Sequence, residues 1–277
     1  MLLLPNWGCK MCNMPVSLQI IGSGAADHDW ANIGQDGVRG SACTLLNGHI
    51  LLDAGVTAAF NLHCFGVDPD VLTDLLVTHT HIDHFDPRAI GKILAARSAA
   101  CPPLRIRCSA EGAAMLRKCG LAGNGCEVLA IRPGDEFSID GIRVTVLPSN
   151  HMIKERPAEE TQWFLFRMSR GNLLYALDGA WITTRTAEML RNIQLDWAVW
   201  DSTVYKTADL RSFEHNDLAM VEMIINALHT RKTVTEKTVH ILTHFARTLW
   251  PDEENTRRIV EEEHGKIMAY DGLKLDF

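Results

Sequence analysis

Four side chains able to bind a metal ion fall within six positions of the run Thr78-His79-Thr80-His81-Ile82-Asp83-His84, and no other feature constrains the chain as much. The run follows Asp74-Leu75-Leu76-Val77, a short apolar stretch that reads as a buried strand, so the cluster stands on a loop at a strand's C-terminal end. Two imidazoles two residues apart on a loop can face one ion, and an acid and an imidazole two and three places later can serve a second ion beside it. Solvated loop histidines are the bland alternative. Four ligand-type residues in so short a span weigh against it.

The rest of the composition narrows the class. The chain has 277 residues, 47% hydrophobic and 22% charged, enough to bury one large core. A net charge of −7 weighs against a broad phosphate-backbone footprint, so nucleic acid is not the expected partner, although a local basic pocket stays open. No apolar run reaches the ~18 residues needed to cross a bilayer, and Met1-Leu2-Leu3-Leu4 meets Pro5 before any secretory pattern develops. A soluble, cytoplasmic protein without a membrane partner is expected. The eight cysteines are scattered and read mainly as reduced thiols. Cys9 and Cys12 have a spacing that suits zinc or redox chemistry, but no second pair accompanies them. They read as incidental thiols in an N-terminal tail over residues 1–15.

Strands are predicted at 16–21, 42–46, 49–52, 74–78, 104–108, 126–131, 142–147, 163–168, 172–177, 195–200 and 238–243. Asn47-Gly48 marks a hairpin between the second and third of these. Helices are predicted after Asp86-Pro87, near 109–118, at 183–192, after His215, and from Trp250 to His264. The polar stretch 25–40 reads as a long loop. Two groups of strands, each followed by helices, with no linker or internal repeat, predict one α/β (α+β) domain over 16–277, a four-layer αββα sandwich.

The run from Thr78 to His84 resembles the HxHxDH signature of the metallo-β-lactamase superfamily, and the superfamily's other ordered motifs can be matched to Asp53, His151, Asp178 and His244. That resemblance implies a hydrolase. It implies that His79, His81 and His151 hold one metal, that Asp83, His84 and His244 hold the other, and that Asp178 bridges them with a hydroxide between. Two divalent ions are the implied cofactors, zinc first, with manganese or iron as alternatives for an all-N/O shell. Asp83 then takes part in catalysis as well as binding, and Asp53 accepts a hydrogen bond from a ligand imidazole. For Asp53 a plain turn residue is the other reading.

Phe213-Glu214-His215-Asn216-Asp217-Leu218-Ala219 resembles the His-containing turn and helix of phosphodiesterase members, PhnP-like proteins and tRNase Z among them. Ile21-Gly22-Ser23-Gly24-Ala25-Ala26 and Ala269-Tyr270-Asp271-Gly272-Leu273 also look PhnP-like. His215, just before a helix, is then the catalytic contact to a phosphoryl or leaving oxygen, with Asp201 orienting it. Capping or packing is the alternative role for His215. The cysteine cluster that PhnP-like proteins carry after the first strand has no counterpart here. Asp27-His28-Asp29-Trp30 occupies that loop instead, either as part of a substrate mouth or as a solvated loop. The expected function is a phosphodiesterase acting on a small or cyclic phosphate ester. Hydrolysis of a lactone, thioester or amide is an alternative, as are a tRNase Z-like nuclease and a non-catalytic metal-binding protein. A homodimer is an open option that no particular helical face identifies.

Overall fold

The computed structural model describes residues 16–206 and 210–277. The tail over 1–15, with Cys9 and Cys12, lies outside the described residues.

The alternating strands build two sheets of seven. The first runs in the order β14 (Lys274–Asp276), β1 (Ser17–Gly22), β2 (Cys43–Leu46), β3 (Ile50–Leu52), β4 (Asp74–Leu76), β5 (Leu104–Cys108), β6 (Cys126–Ala130). The second runs β13 (Ile267–Met268), β12 (Val239–Thr243), β11 (Trp197–Asp201), β10 (Gly171–Ala176), β9 (Gln162–Met168), β8 (Ile142–Pro148), β7 (Glu136–Ile139). The β2–β3 hairpin turns where Asn47 and Gly48 take φ of 51° and 74°, the left-handed backbone that this pair tolerates.

Side-chain alternation, period two along each strand, sorts the apolar residues into three cores. Leu18, Ile20, Ile50, Leu52 and Leu76 face Val144, Phe164, Leu173, Tyr175 and Val199 between the sheets. One position along, Leu51 and Leu75 point outward and pack with residues of α1 (Ala58–Cys64), α2 (Pro87–Ala96) and α3 (Ala110–Lys118). On the far side Leu174, Ala176, Ala198 and Trp200 meet Val221, Ile224 and Leu228 of α5 (Leu218–Thr230), close to α4 (Thr184–Met189). These layers are the αββα sandwich expected. Both sheets are buried on two faces, which is why their central strands read as apolar runs.

Of the strands and α-helices, four escaped the sequence reading: α1, β7, β13 and β14. The helix expected from Trp250 to His264 is shorter and changes winding, with α6 (Glu253–Arg257) passing into a π-helical stretch, Arg258–Glu263. Among the described residues no helix is long and apolar enough to cross a membrane.

A candidate metal centre at the open end of the sandwich

The candidate residues come from six strand ends drawn from both sheets. Asp53 follows β3, His79 to His84 follow β4, His151 follows β8, Asp178 follows β10, Asp201 ends β11 and His244 follows β12. Asp53, Asp178 and His244 have φ of 60°, 49° and 62°, the left-handed region that non-glycine residues seldom adopt. Such strain persists where surrounding structure enforces it, and here it accompanies Asp178 and His244 turned to a common centre and Asp53 turned to the back of the His84 ring.

The loop after β4 lies on a backbone cradle. Ala54 and Val56 N–H donate to the carbonyls of His84 and Ile82 at 2.7 and 3.1 Å, and Asp86 N–H returns a bond to Ala54 at 3.0 Å. Gly55 allows this approach, because a Cβ there would stand 1.9 Å from the Asp83 carbonyl oxygen.

Two of the groups that result are His79, His81 and His151 with Asp178, and Asp83, His84 and His244. In each the donor atoms all lie within 4.8 Å of one another. The Asp178 carboxylate faces both. Its Oδ2 lies 3.5 and 3.7 Å from Nε2 of His79 and His151, and its Oδ1 lies 3.0 and 3.3 Å from Nε2 of His84 and His244. His81 turns Nδ1 inward, 3.0 Å from Nε2 of both His79 and His151.

The opposite ring nitrogens are held from behind. His84 Nδ1 pairs with Asp53 Oδ2 at 2.9 Å, and Asp53 is itself fixed by the Thr78 N–H at 2.7 Å and the Thr78 hydroxyl. His79 Nδ1 meets the Thr78 hydroxyl at 3.1 Å, His151 Nδ1 the Glu214 carbonyl at 3.1 Å, and His244 Nδ1 the Thr203 hydroxyl at 2.7 Å. Outward bonds of this kind set ring orientation and tautomer for a metal-binding imidazole. Thr203 and the Glu214 carbonyl were not anticipated. Thr203 follows Asp201 by two residues, but nothing in its local sequence ties it to His244.

This donor set fits a divalent cation. Asp178 Oδ1 is buried and makes no well-formed hydrogen bond among the described residues, with only the converging Nε2 atoms of His84 and His244 near it. Burial pushes the Asp178 carboxyl up, yet His244 and His84 outweigh it and hold the group well below the ordinary range. Burial likewise lowers His79, His81 and His151. For His84 and His244 burial is overcome by Asp178 and its neighbours, and His244 is driven up to about 10. The carboxylates thus call for positive charge at the centre of the cluster.

His215 stands beside the cluster. Its Nδ1 lies 3.0 Å from Asp201 Oδ2 and 3.9 Å from Asp178 Oδ2, with its ring centroid 4.9 Å from that of His151. Asp201 is buried and also accepts from the backbone N–H and hydroxyl of Thr203 at 2.9 and 2.6 Å. Burial lowers His215, but Asp201 and Asp178 raise it above its ordinary value. The helix expected after His215 starts at Leu218, and the buried Asp217 carboxylate caps it by accepting from Met220 N–H at 2.8 Å. A cleft of about 280 Å³ opens on the cluster, lined by His81, Asp83, His151, Asp178, His215 and His244 together with Ala25, Asp27, Arg211 and Ala246.

Comparison with known proteins agrees with this architecture. The family model described as the beta-lactamase superfamily domain matches residues 49–245. Among solved structures, the metallo-beta-lactamase fold protein YhfI from Bacillus subtilis superposes with a TM-score of 0.72 at 15% identity, over 95% of this chain and 100% of that one. A diphosphatase from the PhnP family gives 0.70 at 19% identity, over 95% and 98%. Human tRNase Z, short form, gives 0.64 at 16%, over 94% and 98%. At these identities the likeness concerns the fold. No curated protein sequence matches the chain.

Proposed function

From the premise that the chain belongs to the beta-lactamase superfamily, as the match over residues 49–245 shows, we propose that this hydrolase is a phosphodiesterase for a small or cyclic phosphate ester. His79, His81 and His151 would hold one divalent ion, Asp83, His84 and His244 the second, with one oxygen of Asp178 turned to each group. Two such ions supply Lewis acidity and a water acidic enough to ionise near neutral pH.

The observation that carries the phosphoester reading is the His215–Asp201 pair. Asp201 fixes the Nδ1 side of the ring, which leaves Nε2 for the cleft that His215 lines. The Asp201 carboxylate favours the imidazolium, so Nε2 can donate to a phosphoryl oxygen and deliver a proton to the departing alkoxide. Asp53 and Thr78 keep His84 in place, and Thr203 keeps His244, so the donors need little rearrangement when substrate enters. Two of the neighbours named above are a diphosphatase and a tRNase, which supports phosphorus over carbonyl carbon. With a net charge of −7, a small ester suits the chain better than a folded RNA.

The test is turnover of bis(4-nitrophenyl) phosphate beside a lactone and a thioester by zinc- or manganese-loaded protein. Phosphodiester hydrolysis is expected, with His215→Ala lowering kcat by about 10²–10³-fold. Turnover of the carbonyl esters alone, or an unchanged kcat in His215→Ala, sinks the reading.

A further inference from the structure

Thr80 stands between His79 and His81, buried, and its hydroxyl donates to Oε2 of Glu159 while accepting from Arg156 Nε at 2.7 Å. Arg156 Nη2 also donates to the Thr80 carbonyl, at 2.9 Å. The other oxygen of Glu159 accepts from the Ser109 hydroxyl at 2.8 Å, and Ser109 caps α3 by accepting from Gly112 N–H at 3.1 Å. Burying a carboxylate is costly unless it is paired and hydrogen-bonded. Glu159 is buried and meets both conditions, with Arg156 Nε 3.4 Å from Oε2.

Glu159 and Arg156 belong to the loop that carries His151. That loop is closed at its base, where Ser149 N–H donates to the Thr161 carbonyl at 3.0 Å and the Thr161 hydroxyl to the His151 carbonyl at 2.7 Å. Arg156 N–H donates to the Ile153 carbonyl at 2.9 Å and Glu159 N–H to the Arg156 carbonyl at 3.0 Å, so the loop turns tightly where it meets Thr80. His79 and His81 follow β4 of the first sheet, whereas His151 follows β8 of the second. The contacts of Thr80 with Glu159 and Arg156 therefore fasten the two loops whose histidines must converge from different sheets. The other group is held differently: His84 rests on Asp53 and His244 on Thr203, and among the described residues neither Glu159 nor Arg156 hydrogen-bonds to any of these.

We propose that Glu159, together with Arg156, is a positioning residue for one of the two ions only: by gripping Thr80 it sets His79 and His81 against His151. This rests on the two-ion reading of the site and not on the phosphoester one. The test is calorimetric titration of Zn²⁺ into metal-free protein, where the native chain should take up two ions. Glu159→Ala should weaken one binding step by about 10–100-fold, the usual effect of removing a partner behind a metal ligand, and leave the other step as it was. Glu159→Gln still accepts from Thr80 and reaches Ser109 with its amide, so it should recover most of the loss. Should Glu159→Ala fail to fold, Thr80→Val and Thr80→Ser carry the same comparison, the first removing the hydroxyl at nearly constant shape and the second keeping it. In a His151→Ala background, which lacks a ligand of that group, Glu159→Ala should leave the affinity of the remaining ion unchanged. Equal weakening of both steps, native affinity in both, or an effect that persists in the His151→Ala background overturns the assignment. A native chain that takes up no ion overturns the two-ion reading and this inference with it. A step-selective loss in a protein that cleaves no phosphodiester keeps the assignment and removes the phosphodiesterase reading instead.

Discussion

At the scale of single residues, protonation state is set by what lies behind each ring. His240 shows this away from the cleft: the Trp200 indole N–H donates to its Nδ1 at 3.1 Å, which requires that nitrogen unprotonated. Burial, assisted by Lys266, lowers its pKa to about 4 from an ordinary 6.5. The unfolded chain therefore binds a proton there before the folded one does. This contribution to stability is complete above pH 6.5 and drains away as pH falls toward 4. His240→Asn keeps an acceptor for Trp200 but cannot titrate. The gap in urea-unfolding free energy between wild type and His240→Asn should narrow by ~1–2 kcal/mol from pH 7 to pH 5. A gap independent of pH would show that the residue does not titrate in this way. Of the residues around the metal centre, those readable in sequence carry their own local signal, a histidine or aspartate at the end of an apolar run. Thr203, the Glu214 carbonyl and the cradle at Gly55 become relevant only when distant strand ends meet, so nothing local marked them.

At the scale of elements, the loop between β4 and α2 is a rigid insert rather than a flexible connection. Its shape depends on Gly55 lying flat beneath Asp83, and no larger residue fits there. Gly55→Ala should cost about 2–3 kcal/mol in chemical unfolding and lower the bound metal measured by elemental analysis, since relief of the clash moves Asp83. Native stability together with full metal content would mean that the loop yields. The same attention to local chemistry explains which elements could be read. Asp86-Pro87 announced α2 because the aspartate caps Arg88 N–H and the proline takes the first helical position. α1 has no side-chain cap and no acid in its first turn, so it lacked a start signal. β13 and β14 are two and three residues long, too short to show alternation. The π-helical stretch Arg258–Glu263 holds only two apolar residues, Ile259 and Val260, too few to show a change of period.

At the scale of the whole molecule, the candidate ligands come from both sheets, so a bound cation ties one sheet to the other as well as completing a site. Removal of metal by a chelator should therefore lower the melting temperature of the entire domain in one transition. Ion present at 100 times its dissociation constant contributes about 2.7 kcal/mol, or roughly 5–10 °C. An unchanged melting temperature in a protein shown to have lost its metal would mean that the sheets hold the ligands in place unaided. The sandwich imposes one more condition, on timing. β1 pairs with β14, Ser17 against Asp276. At ~5–20 residues per second, a ribosome needs on the order of 10–50 s between making the two strands. Throughout that interval the nascent chain presents one unpaired edge of β1, open to pairing with another nascent copy or to capture by a chaperone, and β14 closes it last.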